Sequence, residues 1–392
     1  MTHDQTPALL GGQPTRPEGP PPWPVADVAI QESLQKAFAA NTWGLYHGPH
    51  VEELQIRCRK IIDQPNFALA SGTLALEIAL KSLNIGPGDE IILAAYEYEP
   101  TFLTIHALGA TPVLVDIQQD NPTLNPKQVA QAIGEKTRVI LASHMHGGVA
   151  DISLLQKVIT DSKREIALVQ DLSQMPGLDP VPDSDFSILS FGGSKPLSAG
   201  RGGMLFCGDT ARCQKAKLQL YRAGHQWGTL SELQACVLLP QLEQLKPHAQ
   251  QRRDAFQRLN SLLREVPGLR PIPTPEKPPL ADYYKVGFFF ESDAFGLSRE
   301  IFVRALRAEG IAFSPGFRAL HRGRAANRFR KIGSLSHADL ASEHLITLHH
   351  PVLLAGDSAL EQVASAVWKT YRNAERIREA ALPTQAQLRF DD

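Results

Sequence analysis

From about Glu52 to Phe206 the apolar positions gather in short, nearly unbroken runs rather than in alternation. The runs are Glu90 to Ala95, Pro112 to Asp116, Arg138 to Ser143, Ile166 to Gln170, Phe186 to Ser190 and Gly203 to Cys207. A strand covered on both faces has no polar side to present, so these runs predict strands inside a sheet. Helical spacing marks Val51 to Ile62, Thr73 to Ser82, Thr101 to Leu108, Pro126 to Ile133 and Asp151 to Thr160. Strand and helix recurring at roughly 20 to 30 residues predict an α/β fold with a mostly parallel sheet flanked by helices. Ligands of such sheets bind beyond the carboxyl ends of the strands, where Tyr96 to Tyr98, His144, Asp171 and Ser190 fall.

Downstream the rhythm changes. Ser231 to about Val266 is helical in pattern, with Pro240 and Pro247 interrupting it. Ser231 reads as an N-cap, and Glu232 comes too early to complete a capping box. After Gly268, Tyr284 to Glu291 is strand-like, Arg299 to Glu309 is helical, and a last helix covers Ser358 to Ala380. The expected division is a large domain over 25–250, a smaller C-terminal α+β domain over 251–382 and a loose tail over 383–392. The first 24 residues hold seven prolines, five of them between Pro17 and Pro24, which predicts an extended arm.

Composition narrows this only by exclusion. With 392 residues, 43% hydrophobic and 21% charged, the chain is ordinary for a globular protein. A net charge of −1 gives no reason to expect nucleic acid or an anionic membrane as partner. No apolar run approaches the roughly 18 residues of a membrane span, and the N-terminus has neither the basic nor the apolar region of a secretory signal. Cys58, Cys207, Cys213 and Cys236 suit no metal motif. A cytoplasmic, reduced protein is expected.

The chemistry concentrates around Lys195, in Ser190-Phe191-Gly192-Gly193-Ser194-Lys195, just past an apolar run. About 20 residues upstream another run ends at Asp171, with Gln174 one helical turn on. A lysine and a carboxylate at neighbouring strand ends are what pyridoxal phosphate requires. The amine links to the cofactor aldehyde, and the carboxylate keeps the pyridine nitrogen protonated. Ser71-Gly72-Thr73 opens a helix whose free N–H groups can hold a phosphate, unless Ser71 or Thr73 merely caps it. Tyr98 and Tyr96 offer an aromatic face, or simply pack. His144 with His146, and His349 with His350, lack the companions of a metal site. Arg322, Arg324, Arg328, Arg330 and Lys331 form a basic stretch that is either a solvated face or a receiver of an anionic substrate.

In this order the motifs resemble the DegT/DnrJ/EryC1/StrS family, pyridoxal-phosphate-dependent sugar aminotransferases of fold type I. The matching stretches are Ser71-Gly72-Thr73-Leu74-Ala75-Leu76, Gly86-Pro87-Gly88-Asp89-Glu90, and Gly109-Ala110-Thr111-Pro112-Val113 with Val115-Asp116. They continue with Asp171-Leu172-Ser173-Gln174, Ser190-Phe191 with Lys195, and Ser231-Glu232-Leu233-Gln234-Ala235. The resemblance runs from Leu10-Gly11-Gly12 to the last helix. It implies that Lys195 and Asp171 are catalytic, that Gly72, Thr73 and Ser190 hold the cofactor phosphate, that Tyr98 stacks on the ring and that Gln174 lies on its hydroxyl side. It also implies a ping-pong transfer from L-glutamate or L-glutamine to a keto sugar, often nucleotide-linked, or a keto cyclitol, in a homodimer.

Three departures surround the implied substrate pocket. Trp227-Gly228-Thr229-Leu230 replaces an Asn-x-Arg-Met segment whose Asn reaches a neighbouring subunit's cofactor phosphate. Tyr96-Glu97-Tyr98-Glu99-Pro100 is more acidic than the usual aromatic-Thr-aromatic, and Arg201 stands where an acidic residue is common. The short loop from Lys195 to Gly203 looks closer to the aminocyclitol and aminohydroxybenzoate branch. Two alternatives stand beside transamination: a dehydratase-like reaction on the same cofactor, whose known forms carry His in place of the lysine, and a non-catalytic regulatory protein that binds pyridoxal phosphate or a sugar.

Overall fold

In the computed structural model, which describes residues 6–222 and 228–381, the apolar runs become strands. Preceded by a strand the sequence reading did not name, β1 (Asn66–Leu69), they are β2 (Glu90–Ala94), β3 (Thr111–Val115), β4 (Thr137–Ser143), β5 (Ala167–Asp171), β6 (Phe186–Ser190) and β7 (Gly203–Cys207). Further on come β8 (Leu269–Pro271), β9 (Lys285–Phe290), β10 (Phe313–Pro315), β11 (Arg330–Lys331) and β12 (Leu345–His349). The large sheet has the order β1-β7-β6-β5-β4-β2-β3-β11, and only β7 runs against its neighbours. The expected α/β fold with a mostly parallel sheet is therefore present.

Burial on both faces explains the lack of alternation. Phe67, Leu69, Leu205 and Cys207 enter one hydrophobic core, while Ala68, Met204 and Phe206 between them enter the other. The second core continues into an antiparallel sheet of order β10-β12-β9-β8, flanked by the helices Leu245–Leu263, Arg299–Ala308 and Asp357–Arg372. Inside it, Arg252 and Asp282 form a fully buried ion pair at 2.8 Å. Asp282 also accepts from Gly177 N and Tyr283 N, tying the approach to β9 to the end of the large sheet.

Two local expectations are corrected, and one helix is new. Ser231 does head a capping box, because its partner is Gln234 and not an acidic residue. The last helix is broken at Asn373 into Asp357–Arg372 and Ala374–Ala381. A helix over Val28–Ala39, absent from the sequence reading, buries only Ala37 and so leaves almost no apolar stripe to recognise.

The N-terminal arm is held by side chains rather than by regular structure. The Glu309 carboxylate, completely buried, accepts from Ala8 N, Thr15 N, Thr15 Oγ1 and Lys369 Nζ at 2.7 to 3.0 Å. Gly310, at φ +84°, lies so close to the arm that a Cβ would stand 2.1 Å from the Arg16 carbonyl oxygen. Farther along, Trp23 packs edge-on against His350 and its indole N–H donates to the Lys195 carbonyl at 3.0 Å. No described helix is long and apolar enough to cross a membrane.

Candidate active site

A cavity of about 610 Å³ opens where the carboxyl ends of β2, β4, β5 and β6 meet the amino end of β9. Ser71, Gly72, Thr73, Tyr98, Asp171, Gln174, Ser190 and Lys195, brought out by the sequence from four separate stretches, all line it.

The helix Gly72–Ser82 starts at this edge because β1 ends against the first residue of β7. Ser71 bridges to Gly202, and a Cβ on Gly203 would stand 2.5 Å from Gly72 N. Gly72 approaches β6 as closely: a Cβ there would lie 3.1 Å from Ser190 Cβ. Ser71 caps the helix, accepting from Leu74 N at 3.0 Å. Its capping role is thus real, and it leaves the N–H groups of Gly72 and Thr73, the first two helical residues, without intrahelical acceptors. These donors and the Ser190 hydroxyl border one corner of the cavity.

Asp171 closes β5 and accepts from Ser173 N at 2.7 Å through one oxygen. Lys195 follows a tight turn in which its N–H donates to the Gly192 carbonyl. Its Nζ stands 4.1 Å from the centre of the Tyr284 ring, and Tyr284 in turn hydrogen-bonds Ser194 at 2.7 Å. Burial pulls the Lys195 amine down to about 8, against the pull of Asp171 and with the help of Lys285. A lysine so placed yields a free amine at far lower pH than one in water. A helix N-terminus for a phosphate, a carboxylate for a pyridinium and a depressed amine for an aldehyde fit pyridoxal phosphate.

The remaining predicted residues sit less simply. Tyr98 is 49% exposed at the cavity mouth, whereas Tyr96 is wholly buried, its hydroxyl 3.2 Å from His146 Nε2 and accepting from Phe317 N. The chain turns between the two tyrosines into the helix Glu99–Ala107, so they do not form one face. Gln174 has its amide engaged already: Oε1 accepts from His146 N, and Nε2 donates to Met145 Sδ. It shapes the wall that His146 belongs to. His144 and His146 are buried and held neutral, burial pulling them down to about 4 and about 3. His146 has a φ of +56°, so the two do not share a strand face. Trp227 lies outside the described residues; Thr229 bridges to Leu69.

Two lining residues escaped the sequence reading. Glu97, only 2% exposed, accepts from Tyr98 N at 2.7 Å, and burial pushes its carboxyl up to about 8. Its signal was the acidic departure at the end of β2. Lys285 opens β9, and burial together with Arg307 brings its amine down to about 8. Nothing in its local sequence distinguishes it from a surface lysine.

Comparison with known proteins adds the following. The model of the DegT/DnrJ/EryC1/StrS aminotransferase family matches residues 25–368. The L-glutamine:2-deoxy-scyllo-inosose aminotransferase of Streptoalloteichus tenebrarius is 29% identical over 422 aligned positions, covering 95% of this chain and 99% of that protein. The 3-amino-5-hydroxybenzoate synthase of Amycolatopsis mediterranei is 27% identical, covering 88% and 96%. Among solved structures, a 3-amino-5-hydroxybenzoic acid synthase superposes with a TM-score of 0.80 at 26% identity, covering 90% of this chain and 99% of that one.

Proposed function

The chain belongs to the DegT/DnrJ/EryC1/StrS aminotransferase family, and on that premise we propose that it moves an amino group from L-glutamine, or L-glutamate, to a keto cyclitol. It is a pyridoxal-phosphate-dependent aminotransferase of fold type I. The cyclitol acceptor and the glutamine donor are supported by the printed activities of its relatives. The site assignment is carried by one observation: Lys195, Asp171 and the N-terminus of the helix Gly72–Ser82 converge on a single cavity.

Pyridoxal phosphate, when bound, supplies an aldehyde that captures amines and a ring that accepts the electron pair released at the substrate carbon. The chain's residues do the rest. Gly72 N, Thr73 N and the Ser190 hydroxyl bind the phosphate, and Asp171 holds a proton at the pyridine nitrogen. Tyr98, at the mouth, would cover the ring, and Gln174 accepts from His146 N and so would hold that wall in place for it. Lys195 Nζ takes a proton from the substrate carbon in one half-reaction and returns one in the other. Because its amine is already depressed to about 8, it exchanges that proton near neutral pH at little cost. We further propose a homodimer, supported by the exposed apolar side chains Phe38, Trp43, Tyr46 and Leu233, at 72%, 48%, 81% and 47%.

The visible absorption of the protein with pyridoxal phosphate tests the reading. A band from covalent attachment should appear, and L-glutamine or L-glutamate should bleach it. The variant Lys195→Ala should lack that band and lose turnover by at least ~10²-fold. A normal band or full turnover in that variant would remove Lys195 from the site. A band that no amino acid bleaches would exclude transamination.

A further inference from the structure

The large-sheet side of the cavity provides for the cofactor, yet the opposite wall carries a cation without a counter-charge. Lys285 lines the cavity from the first position of β9, and it makes no ion pair with any carboxylate among the described residues. Its neighbours are cationic or neutral. Arg307 lies behind it, with its guanidinium occupied by the Phe313 carbonyl at 2.8 Å and Ser314 Oγ at 3.1 Å. His349, directly across in β12, directs Nε2 to the Ser194 carbonyl at 3.1 Å. The hydroxyl residues Ser314 and Thr347 complete this wall.

A half-buried ammonium with no anionic partner lowers stability and persists where a ligand supplies the anion. The cofactor phosphate has its own donors at Gly72 and Thr73, in another corner. Lys285 is instead tied to the reacting amine: the Tyr284 ring centre lies 4.1 Å from Lys195 Nζ and 5.3 Å from Lys285 Nζ. An α-amino acid carries its carboxylate on the carbon that gives up its amine, so its negative charge must fall close to Lys195. A neutral cyclitol brings no such charge. Resting on the transaminase reading above, we propose that Lys285 is the residue that receives the α-carboxylate of the amino donor, with Ser314 and Thr347 beside it. Arg201 also lines the cavity, but it is exposed on the loop between Gly200 and Gly202 and is the rival to be excluded.

The test uses Lys285→Met, which keeps the apolar stem, with Lys285→Arg and Arg201→Gln beside it. In the loaded enzyme, Lys285→Met should raise the donor concentration for half-maximal bleaching roughly ten- to a hundred-fold. The acceptor KM should stay within about twofold, because a neutral acceptor does not use the charge. Lys285→Arg should recover part of the loss. Independently of turnover, glutaramate (the donor without its amine) is titrated calorimetrically into cofactor-free protein in phosphate buffer, which fills the phosphate corner. Wild type should bind it, and Lys285→Met at least tenfold more weakly. Unchanged donor constants in Lys285→Met, a larger donor effect in Arg201→Gln, or a change confined to acceptor KM would each overturn the assignment. Failure of the wild type to be bleached by any amino acid would instead sink the transaminase reading. The glutaramate titration would still report on Lys285.

Discussion

Single residues in this site are set by what surrounds them more than by what they are. Glu97 stood out in the sequence only as part of an acidic departure near the substrate pocket and Lys285 not at all; the fold brings both to one cavity, Glu97 buried and Lys285 half-buried. Lys195 and Asp171 were legible because glycines and apolar runs frame them; the other two lacked any such frame. Glu97 has a measurable consequence. Its carboxyl rises from 4.5 to about 8 by burial, so between those values the folded chain keeps a proton that the unfolded chain has released. Stability therefore falls as pH climbs through that window. Glu97→Gln stays neutral and can still accept from Tyr98 N. Its melting temperature should match wild type near pH 4.5 and exceed it increasingly toward pH 8. A difference that stays flat with pH would mean Glu97 is not held protonated.

At the scale of elements, β2 to β7 and β9 were readable to within about a residue because a continuous apolar run bounded by polar positions has few alternatives, whereas β1 and the short or late strands β8, β10, β11 and β12 were not read as strands. Helix ends were less so. The partner in the Ser231 capping box is an amide rather than a carboxylate, and the Asn373 break follows from backbone geometry that spacing does not encode. The start of the helix Gly72–Ser82 is the element on which phosphate binding turns. Its position depends on a glycine where a methyl group would be 3.1 Å from Ser190 Cβ and 3.3 Å from the Leu189 carbonyl oxygen. Gly72→Ala should push the helix terminus away from β6 and weaken pyridoxal phosphate affinity about tenfold, roughly the worth of one charge-assisted hydrogen bond. Far-ultraviolet circular dichroism should be unchanged. An affinity equal to wild type would show that the phosphate does not sit there.

The whole molecule joins two sheets across one cavity; the sequence pattern anticipated the large sheet but, of the second, only the strand β9, and not how the two meet. That junction is tertiary: Gly177 N donating to Asp282 and Lys195 over the Tyr284 ring link residues far apart in the chain, as does the arm on Glu309. The proposed homodimer belongs to this scale as well. Light scattering should give about twice the 43.0 kDa of one chain. Replacing Phe38 and Tyr46 by Ser should shift the mass toward a single copy, and a monomeric wild type would leave those exposed aromatics unexplained.

The grip of Glu309 on the arm has a consequence for the order of assembly. Residues 8 to 16 are synthesised well before their seat: the Glu309 carboxylate that holds them follows some 300 residues later, and Lys369 later still. At a synthesis rate of roughly 5–20 residues per second, the arm waits about 15 s or longer for its seat. Trp23 cannot settle against His350 until β12 has been made and folded. The arm thus docks after the elements it covers, closing over the lysine turn only once β12 is in place.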